Sequence, residues 1–523
     1  MARFLIIGLD GAEPSLMAPW MDEGLLPNLA RLRARGTFAP LESTFPPATF
    51  PAWTSCVTGV NPGRHGLFDF TETTGTPPTL HFTNAGSRKV PALWNILSDA
   101  RKRVGILGVP ATYPPEPVNG FMVSGFDSPV ATNINPSFVW PPDWFPEVRD
   151  WRFADMQESN IGPKWHARAL PALLRKIDDK ERIACQLLSK EPWDFFMVVF
   201  GETDTVSHHF WMFHDQNSPR HRPGFETAIQ SVYQRLDHTV GALMEAAGDD
   251  VVVCVVSDHG FGGAGDGVIH INNWLAEQGY LRFRDGAGGS ALKRAALRWV
   301  PAPWRGSLFR RFSGLATRAE TKSRFGRIDW EHTTAWSEEL NYFPSVRINR
   351  PRGMTDTAYA ALITEICARL ESWAPVARAW PRETRYHGDY VDRAPDILLE
   401  LALENGYAHS CLRTPEGDLR PFRRLAPAEY PGGKERGMNG SHRGMGVLLS
   451  SEPVTRPNPS LYDITPTVLS VLGVTAPPMD GRPLWGHTPE GTAPPTTPRA
   501  ETPYTKEEER LLEAQWRGLG YLE

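Results

Sequence analysis

The sequence predicts a doubly wound α/β fold, in which a mostly parallel sheet is flanked by helices on both faces. Three short apolar runs each lead into an aspartate: "RFLIIGLDG" into Asp10, "WDFFMVVFGETD" into Asp204 and "DDVVVCVVSDHG" into Asp258. Segments with helical spacing separate these runs, as expected when strands alternate with helices. Ligands of such sheets bind beyond the carboxyl ends of the strands, so we expect the three acids to face one site.

The other elements continue this alternation along the chain. A helix is predicted in "LPNLARLRARG", where leucines recur at three-residue spacing before Gly36. "VPALWNILSDA" predicts a further helix and "RVGILGV" a strand, and a long helix is predicted over residues 228–247. Later in the chain we expect a helix over residues 356–373, a strand in "PDILLELAL" and a last helix in "LYDITPTVLSVLG".

One segment differs from the rest in composition, and we expect it to be an insertion or lid on a single catalytic domain. The domain would comprise residues 1–281 and 329–487, the insertion residues 282–328, and a C-terminal extension residues 488–523. Between residues 290 and 328 the only acid is Glu320, and the basic residues are Lys293, Arg294, Arg298, Arg305, Arg310, Arg311, Arg318, Lys322, Arg324 and Arg327. Its interleaved aromatic residues include Trp299, Trp304, Phe309 and Phe312. Three roles are open: a solvated face, a cap that attracts an anionic substrate, or a peripheral contact with an anionic membrane.

The composition argues against several classes of protein. A formal net charge of −5 provides no overall field for nucleic acid, and the chain has no nucleic-acid-binding signature. The five cysteines are scattered without C-x-x-C spacing, which argues against a disulfide framework and fits a reducing compartment. The apolar run near the N-terminus is too short for a secretion signal, and no stretch reaches the length of a membrane span. We therefore expect a cytoplasmic protein.

Six side chains at predicted strand, helix and loop ends are candidate metal ligands: Asp10, Asp204, His208, Asp258, His259 and His442. Asp204 and His208 stand four residues apart, so they would share one face of a helix, and His442 lies in the glycine-rich loop "NGSHRGMG". Carboxylate and imidazole donors suit zinc, with manganese as the alternative. Six donors exceed one tetrahedral shell, so the set predicts two divalent ions about 4 Å apart. Taken singly, Asp10 could instead cap the following helix, and His442 could be a solvated or structural histidine.

Five ordered stretches carry a family resemblance: "GLDG", "ATFPAWTSCVTGVNPGRHG", "DTVSH", "SDHGF" and "GSHRG". They resemble the alkaline phosphatase superfamily and, within it, the type I phosphodiesterase/nucleotide pyrophosphatase branch. "HINNWLAEQGYL", "DRAPDILLE" and "DGRPL" are also similar to segments of this family, and the resemblance spans roughly Phe4 to Pro483. It implies an alkaline phosphatase-like core, a metal-dependent phosphohydrolase activity and a small anionic phosphate ester as substrate.

The resemblance also implies a role for each candidate residue. One ion would be held by Asp204, His208 and His442, and the other by Asp10, Asp258, His259 and Thr49. Thr49 stands at the family's nucleophile position in the proline-framed stretch "PPATFPAW", where an ion would favour its alkoxide. In the implied mechanism Thr49 attacks phosphorus, and water then releases the phosphorylated threonine. The structural alternative for Thr49 is a helix N-cap.

Some positions depart from the family pattern or are expected to have structural roles. Ala52 follows the Thr-Phe-Pro step, where nucleotide pyrophosphatases usually have Asn, and this weakens the case for a nucleotide substrate. The same stretch lacks the arginine of the sulfatase pattern, so a sulfatase is not expected. His65 matches a family position, but we expect it to have a packing or turn role. His209 should point away from His208 on the predicted helix and is not expected to be a ligand.

Three functions are compatible with these residues. The first is a metal-dependent phosphodiesterase or related phosphohydrolase. The second is a phosphomutase of the same superfamily, in which the phosphoryl group returns to the substrate, and the motifs do not separate it from the first. The third is a catalytically silent binding protein, which is disfavoured because Thr49 and all six candidate ligands are present.

Overall fold

The computed structural model describes residues 2–125, 135–153, 161, 164–284, 325–415, 417–433, 436–486 and 508. Most of the predicted basic insertion (282–328) and almost all of the predicted C-terminal extension (488–523) therefore lie outside the described residues. The described edges of the insertion are paired, since Phe283 forms a β-bridge with Ile328. None of the described helices is long and apolar enough to cross a membrane.

Strands alternate with helices over much of the chain, as the sequence predicts. The strands are β1 (Arg3–Leu9), β2 (Thr37–Glu42), β3 (Thr71–Thr74), β4 (Thr79–Phe82), β5 (Val104–Val109), β6 (Gly120–Ser124), β7 (Val139–Trp140), β8 (Phe195–Phe200), β9 (Val251–Val256), β10 (Gly260–Ile269), β11 (Ala335–Trp336), β12 (Ser345–Ile348), β13 (Val376–Pro381), β14 (Ile397–Leu401), β15 (Leu403–Glu404), β16 (Tyr407–Cys411), β17 (Phe422–Arg424), β18 (Gly440–Arg443) and β19 (Met445–Ser450). The helices are α1 (Pro14–Asp22), α2 (Pro27–Arg35), α3 (Thr49–Thr58), α4 (Pro62–His65), α5 (Leu93–Asp99), α6 (Phe145–Val148), α7 (Trp165–Lys190), α8 (Glu202–His214), α9 (Ala228–Ala247), α10 (Ile271–Glu277), α11 (Asp356–Glu371) and α12 (Ile464–Val471).

An eight-stranded sheet forms the centre of the fold, in the order β2-β19-β9-β1-β8-β5-β6-β7. The five strands from β9 to β6 are parallel. At the two edges, β7 runs antiparallel to β6, and β19 runs antiparallel to both β9 and β2. The sheet is therefore mostly parallel, as predicted.

Alternating buried side chains explain why helices cover both faces of this sheet. In β1, Leu5 and Ile7 belong to one hydrophobic core, whereas Phe4 and Ile6 belong to a second core on the opposite face. The first core includes side chains of α1, α2, α7, α8 and α9, and the second includes those of α3, α5 and α12. The doubly wound α/β class predicted from the sequence is confirmed.

The three predicted strands that lead into aspartates are direct neighbours. Strand β1 lies between β8 and β9 and is parallel to both. Asp10 directly follows β1, Asp204 lies in the first turn of α8, and Asp258 stands two residues beyond β9. The carboxyl ends of parallel neighbours meet at one edge of the sheet, so the three acids are brought together there.

Smaller sheets pack beside the central one. A four-stranded antiparallel sheet, in the order β11-β12-β14-β13, packs with α11 around its own hydrophobic core. We call residues 335–401 the small-sheet unit. A second group, in the order β15-β16-β10-β17, also carries β18 on β10, and β3 pairs with β4.

The structure differs from the sequence-based expectation at His442, which lies in strand β18 rather than in a loop. This strand pairs antiparallel with the start of β10, and His442 stands opposite Phe261. Two of the glycines that suggested a loop, Gly440 and Gly446, serve close packing instead. A Cβ atom at Gly440 would lie 2.4 Å from the backbone oxygen of Ser207, so only glycine lets β18 lie this close to α8.

Candidate metal centre

Three of the predicted ligands meet where α8 contacts β18, and we call Asp204, His208 and His442 the first trio. His208 Nε2 lies 3.2 Å from Asp204 Oδ1 and 3.1 Å from His442 Nε2. His442 Nε2 lies 3.3 Å from the same Asp204 oxygen. The four-residue spacing on α8 brings the aspartate and the first histidine together, as the sequence predicts. The second histidine reaches them from a strand more than two hundred residues away in the chain.

The other three predicted ligands, Asp10, Asp258 and His259, form the second trio. His259 Nε2 lies 3.5 Å from Asp10 Oδ1 and 3.5 Å from Asp258 Oδ2. All three side chains are almost completely buried. The trios adjoin, because the imidazole rings of His259 and His442 stack with their centroids 3.7 Å apart. The structure thus gathers all six predicted ligands into one cluster.

Backbone carbonyls determine the tautomer of the three histidines. Each Nδ1 lies 2.8–3.1 Å from a carbonyl oxygen, in the pairs His208–Gly440, His259–Gly260 and His442–Pro47. A carbonyl oxygen can only accept, so each Nδ1 carries the hydrogen and donates it. The lone pair of each Nε2 is therefore directed into the cluster, as it is in metal-bound histidines.

Several atoms that point into the cluster have no hydrogen-bond partner among the described residues: Asp10 Oδ1, Asp204 Oδ1, Asp258 Oδ2 and His259 Nε2. The second oxygens of two carboxylates are held by the protein. The indole N–H of Trp53 donates to Asp10 Oδ2 at 2.9 Å, and the backbone N–H of Gly11 donates to Asp258 Oδ1 at 3.2 Å. Buried carboxylate oxygens without a partner are costly, and metal coordination is one way to satisfy them. The residues present therefore fit a divalent metal centre.

The pKa shifts in the cluster also indicate a site for a divalent metal ion. Burial and the charge of Asp204 raise the pKa of Asp10 well above its ordinary value, and burial and the charge of Asp10 do the same for Asp258. Burial raises the pKa of Asp204 as well, but the histidines of the first trio more than offset this and hold it below its ordinary value. Burial lowers the pKa of His442, which favours the neutral form that can bind a metal. Crowded carboxylates therefore need a cation from outside the chain to ionise together.

Helix α3 begins at Thr49 and is joined to both trios. The Pro47 carbonyl accepts the Nδ1 hydrogen of His442, and Trp53 donates to Asp10. These two contacts, at positions on either side of Thr49, hold the amino end of α3 beside the cluster. Thr49 itself is half-buried. The positive end of the helix dipole and the backbone N–H groups of Thr49 and Phe50 suit an anion here, although Pro51 has no N–H and that of Ala52 donates to the Ala48 carbonyl.

The helix-capping alternatives for Asp10 and Thr49 are both wrong. Helix α1 is capped by Glu13, whose Oε1 accepts the backbone N–H of Ser15 at 3.0 Å. Ala48 is the N-cap of α3, with extended backbone angles of φ −124° and ψ 143°, so Thr49 occupies the first helical position. Neither side chain caps the amino end of a helix, so both remain available to the cluster.

The two other histidines considered from the sequence lie outside both trios. His65 is completely buried, and its Nε2 lies 3.0 Å from Ser55 Oγ. Its Nδ1 accepts the backbone N–H of Leu67, which agrees with the expected packing and turn role. His209 packs against Trp165 with ring centroids 4.5 Å apart, and burial lowers its pKa to about 3.

Three aromatic residues at the cluster were not predicted from the sequence. They are Trp53, Phe261 and Tyr342. Trp53 and Phe261 lie within "TFPAW" and "SDHGF", so their place in the motifs was an available signal. Tyr342 lies outside all of the quoted motifs, yet its ring stacks on His442 with centroids 4.1 Å apart and planes 9° apart. Only the tertiary structure brings it there.

The fold and the cluster define a class of protein. A doubly wound sheet carries aspartates and histidines that could hold metal ions beyond three neighbouring strand ends, as expected for a hydrolase of the alkaline phosphatase superfamily. Residues 4–418 match the type I phosphodiesterase/nucleotide pyrophosphatase family, and the chain belongs to this family. It is an enzyme, a metal-dependent phosphohydrolase.

The chain is similar to several solved structures at low sequence identity, and two of them have TM-scores above 0.5. Phosphonoacetate hydrolase from Sinorhizobium meliloti 1021 in complex with phosphonoformate is 16% identical, with a TM-score of 0.57 over 90% of this chain and 96% of that chain. The same hydrolase in complex with phosphonoacetate is 17% identical, with a TM-score of 0.53 over the same shares. Inactive murine ectonucleotide pyrophosphatase/phosphodiesterase 5 in complex with AMP is 13% identical, with a TM-score of 0.47 over 92% and 97%. No curated protein matches the chain significantly.

Proposed function

We propose that this chain is a two-metal phosphodiesterase that acts through a covalent threonine intermediate at Thr49. The first trio holds one divalent ion, and the second trio together with Thr49 holds the other. Mixed carboxylate and imidazole donors suit zinc, with manganese as the alternative. The substrate is a small anionic phosphate ester.

The observation that carries this proposal is that buried carboxylate oxygens without a hydrogen-bond partner among the described residues lie beside the amino end of α3. Oxygens of Asp10, Asp204 and Asp258 are buried without a hydrogen bond among the described residues. The contacts of Pro47 and Trp53 with ligands of the two trios hold the helix that begins at Thr49 beside them. A hydroxyl at a helix amino end, next to a metal centre, is suited to attack a phosphoryl group.

The chemistry is a pair of displacements at phosphorus. When bound, the two ions would stabilise the charge on the attacking and leaving oxygens. Thr49 Oγ1 forms a bond to phosphorus while the bond to the leaving oxygen breaks, and the hydroxyl proton goes to the departing group. Water then attacks the phosphorus, the bond to Thr49 Oγ1 breaks, and the threonine recovers a proton. Throughout, the backbone N–H groups of Thr49 and Phe50 at the amino end of α3 orient the phosphoryl oxygens.

Thr49→Ala and Thr49→Ser test the role of the hydroxyl. With bis(p-nitrophenyl) phosphate and added zinc or manganese, we expect Thr49→Ala to lose about a thousandfold or more in kcat. Its metal content should stay near that of the wild type, because the six other ligands remain. Thr49→Ser should retain partial activity. Thr58→Ala is the matched control, since it removes a threonine hydroxyl that binds the Thr54 carbonyl at the other end of α3.

Intact mass after an acid quench should show a covalent adduct on the wild type that Thr49→Ala lacks. Turnover of Thr49→Ala near the wild-type rate would exclude Thr49 as the nucleophile. A phosphosugar assay addresses the alternative function. Isomerisation of the sugar phosphate without release of phosphate would make the chain a phosphomutase.

A further inference from the structure

Tyr342 contacts both histidines of the first trio. Its hydroxyl oxygen lies 3.3 Å from His208 Nδ1, and its ring lies flat on the ring of His442. The two contacts are independent, because one involves a polar atom and the other the face of the ring. Phe261 also makes ring contacts with both histidines, but its side chain offers no polar atom.

Tyr342 belongs to a different part of the fold from the six ligands. It lies in the small-sheet unit, in the connection between β11 and β12. The neighbouring side chains of this connection anchor it separately. Leu340 and Phe343 are buried in a hydrophobic cluster with Phe68 and Tyr386, whereas Tyr342 is only half-buried. The position of this segment therefore does not depend on the Tyr342 side chain.

The geometry indicates what the hydroxyl does for His208. The Nδ1 of His208 carries the hydrogen, because it also lies 3.1 Å from the Gly440 carbonyl, which can only accept. The Tyr342 oxygen is then a second acceptor for the same N–H group. Acceptors at the outer nitrogen fix the orientation of a ligating imidazole and increase its basicity.

The ring contact has a related effect on His442. This imidazole lies between two parallel partners, with Tyr342 at a centroid distance of 4.1 Å and His259 at 3.7 Å. Its Nδ1 is held by the Pro47 carbonyl at 2.8 Å. With the hydrogen bond fixing one direction and the stacked rings fixing the plane, Nε2 has one direction in which to point.

We propose that Tyr342 is a positioning residue of the metal centre, through which the small-sheet unit determines the affinity of the first-trio ion. The inference rests on the proposed function, because it takes Asp204, His208 and His442 as ligands. It assigns to the small-sheet unit a part in metal binding that none of its other described residues has.

Zinc affinity of the metal-free protein, measured by competition with a chelator, tests this role without any assay of activity. We expect Tyr342→Ala to lower the affinity for one of the two zinc ions by about 10- to 100-fold and to leave the affinity for the other unchanged. Tyr342→Phe keeps the stacked ring and loses only one of two acceptors, so its effect should be about threefold or less. If Tyr342→Ala does not fold, Tyr342→Leu carries the same expectation, because it also lacks the planar ring and the hydroxyl.

Tyr359→Ala is the matched control. It removes a tyrosine from the same small-sheet unit, where the hydroxyl donates to Asp396 rather than to the metal centre. It should lower thermal stability and leave both zinc affinities at the wild-type values. A double variant shows which of the two ions Tyr342 affects. In a His442→Ala background, where the first-trio ion is lost, Tyr342→Ala should no longer change the affinity of the remaining ion.

The outcomes separate this inference from the proposed function. A wild-type protein that binds neither zinc nor manganese would overturn both. If the wild type binds two ions and His442→Ala loses one, while Tyr342→Ala binds both with wild-type affinity, only the role of Tyr342 is overturned. A change in KM for bulky diesters with unchanged zinc affinity would also overturn it, since Tyr342 would then act on the substrate.

Discussion

Replacement of Lys180 by methionine would break an ion pair buried beneath the metal centre. Lys180 Nζ on α7 lies 2.9 Å from Oε1 of Glu202, the first residue of α8, and their side chains are 3% and 0% exposed. Glu202 stands two residues before the proposed ligand Asp204. Methionine has nearly the shape of the lysine stem, so the substitution removes the charge, with its contacts over the Trp151 and Phe200 rings, and leaves little cavity.

The size of the effect follows from this burial. Removal of one partner of a buried ion pair costs roughly 3–5 kcal/mol, because the other charge stays buried without compensation. The unfolding entropy is about 2.1 cal/mol/K per residue, which for 523 residues amounts to about 1 kcal/mol/K. The midpoint of thermal unfolding should therefore fall by about 3–5 °C.

Calorimetry of the metal-free protein measures this midpoint without a contribution from bound ions. Lys190→Met is the matched control, because Lys190 lies in the same helix and pairs with Glu147, but the two side chains are 43% and 30% exposed. Such exposed pairs contribute about 0–1 kcal/mol, so its midpoint should change by about 1 °C or less. Equal midpoints for the two variants would refute the reasoning. A double variant, Lys180→Met with Glu202→Gln, should recover much of the loss; if it does not, lost packing is the cause.

Trp53→Phe removes the indole N–H that binds Asp10 Oδ2, so the second-trio ion should bind about tenfold more weakly in chelator competition, with the first-trio ion unchanged. A pH series addresses the carboxylates. The raised pKa values of Asp10 and Asp258 stabilise the metal-free fold fully below the ordinary aspartate range, and this stabilisation is lost as pH rises through the raised values. Buried histidines with lowered pKa values, such as His209 and His442, contribute with the opposite sign, so the test is the gain in thermal midpoint from added zinc, which should grow as pH rises above about 4. Coincident pH profiles with and without zinc would contradict this.

The part of the site that was predictable from the sequence consists of residues that local structure places. Asp10 and Asp258 follow apolar strands, and Asp204 and His208 share one helical face, so short-range patterns suffice for these four. His442 was predicted to be a ligand in a loop, but it lies in a strand, because a glycine that allows close packing on α8 looks the same in a sequence as a glycine of a turn. Tyr342 reaches the site only through the packing of the small-sheet unit, and no local pattern encodes such a contact.

The charge count of the proposed centre favours a phosphodiester over a phosphomonoester. Two divalent ions bring four positive charges, and the carboxylates of Asp10, Asp204 and Asp258 bring three negative ones. Lys180 acts electrostatically on Asp10, but it is paired with Glu202 and adds no net charge. With Thr49 as the neutral hydroxyl, a diester carries one negative charge and makes the centre neutral, whereas a monoester carries roughly 1.5 to 2 at neutral pH. Excess charge in a buried site is costly. A phosphomutase, whose substrate is a monoester, would therefore need a further cation that the two trios do not supply.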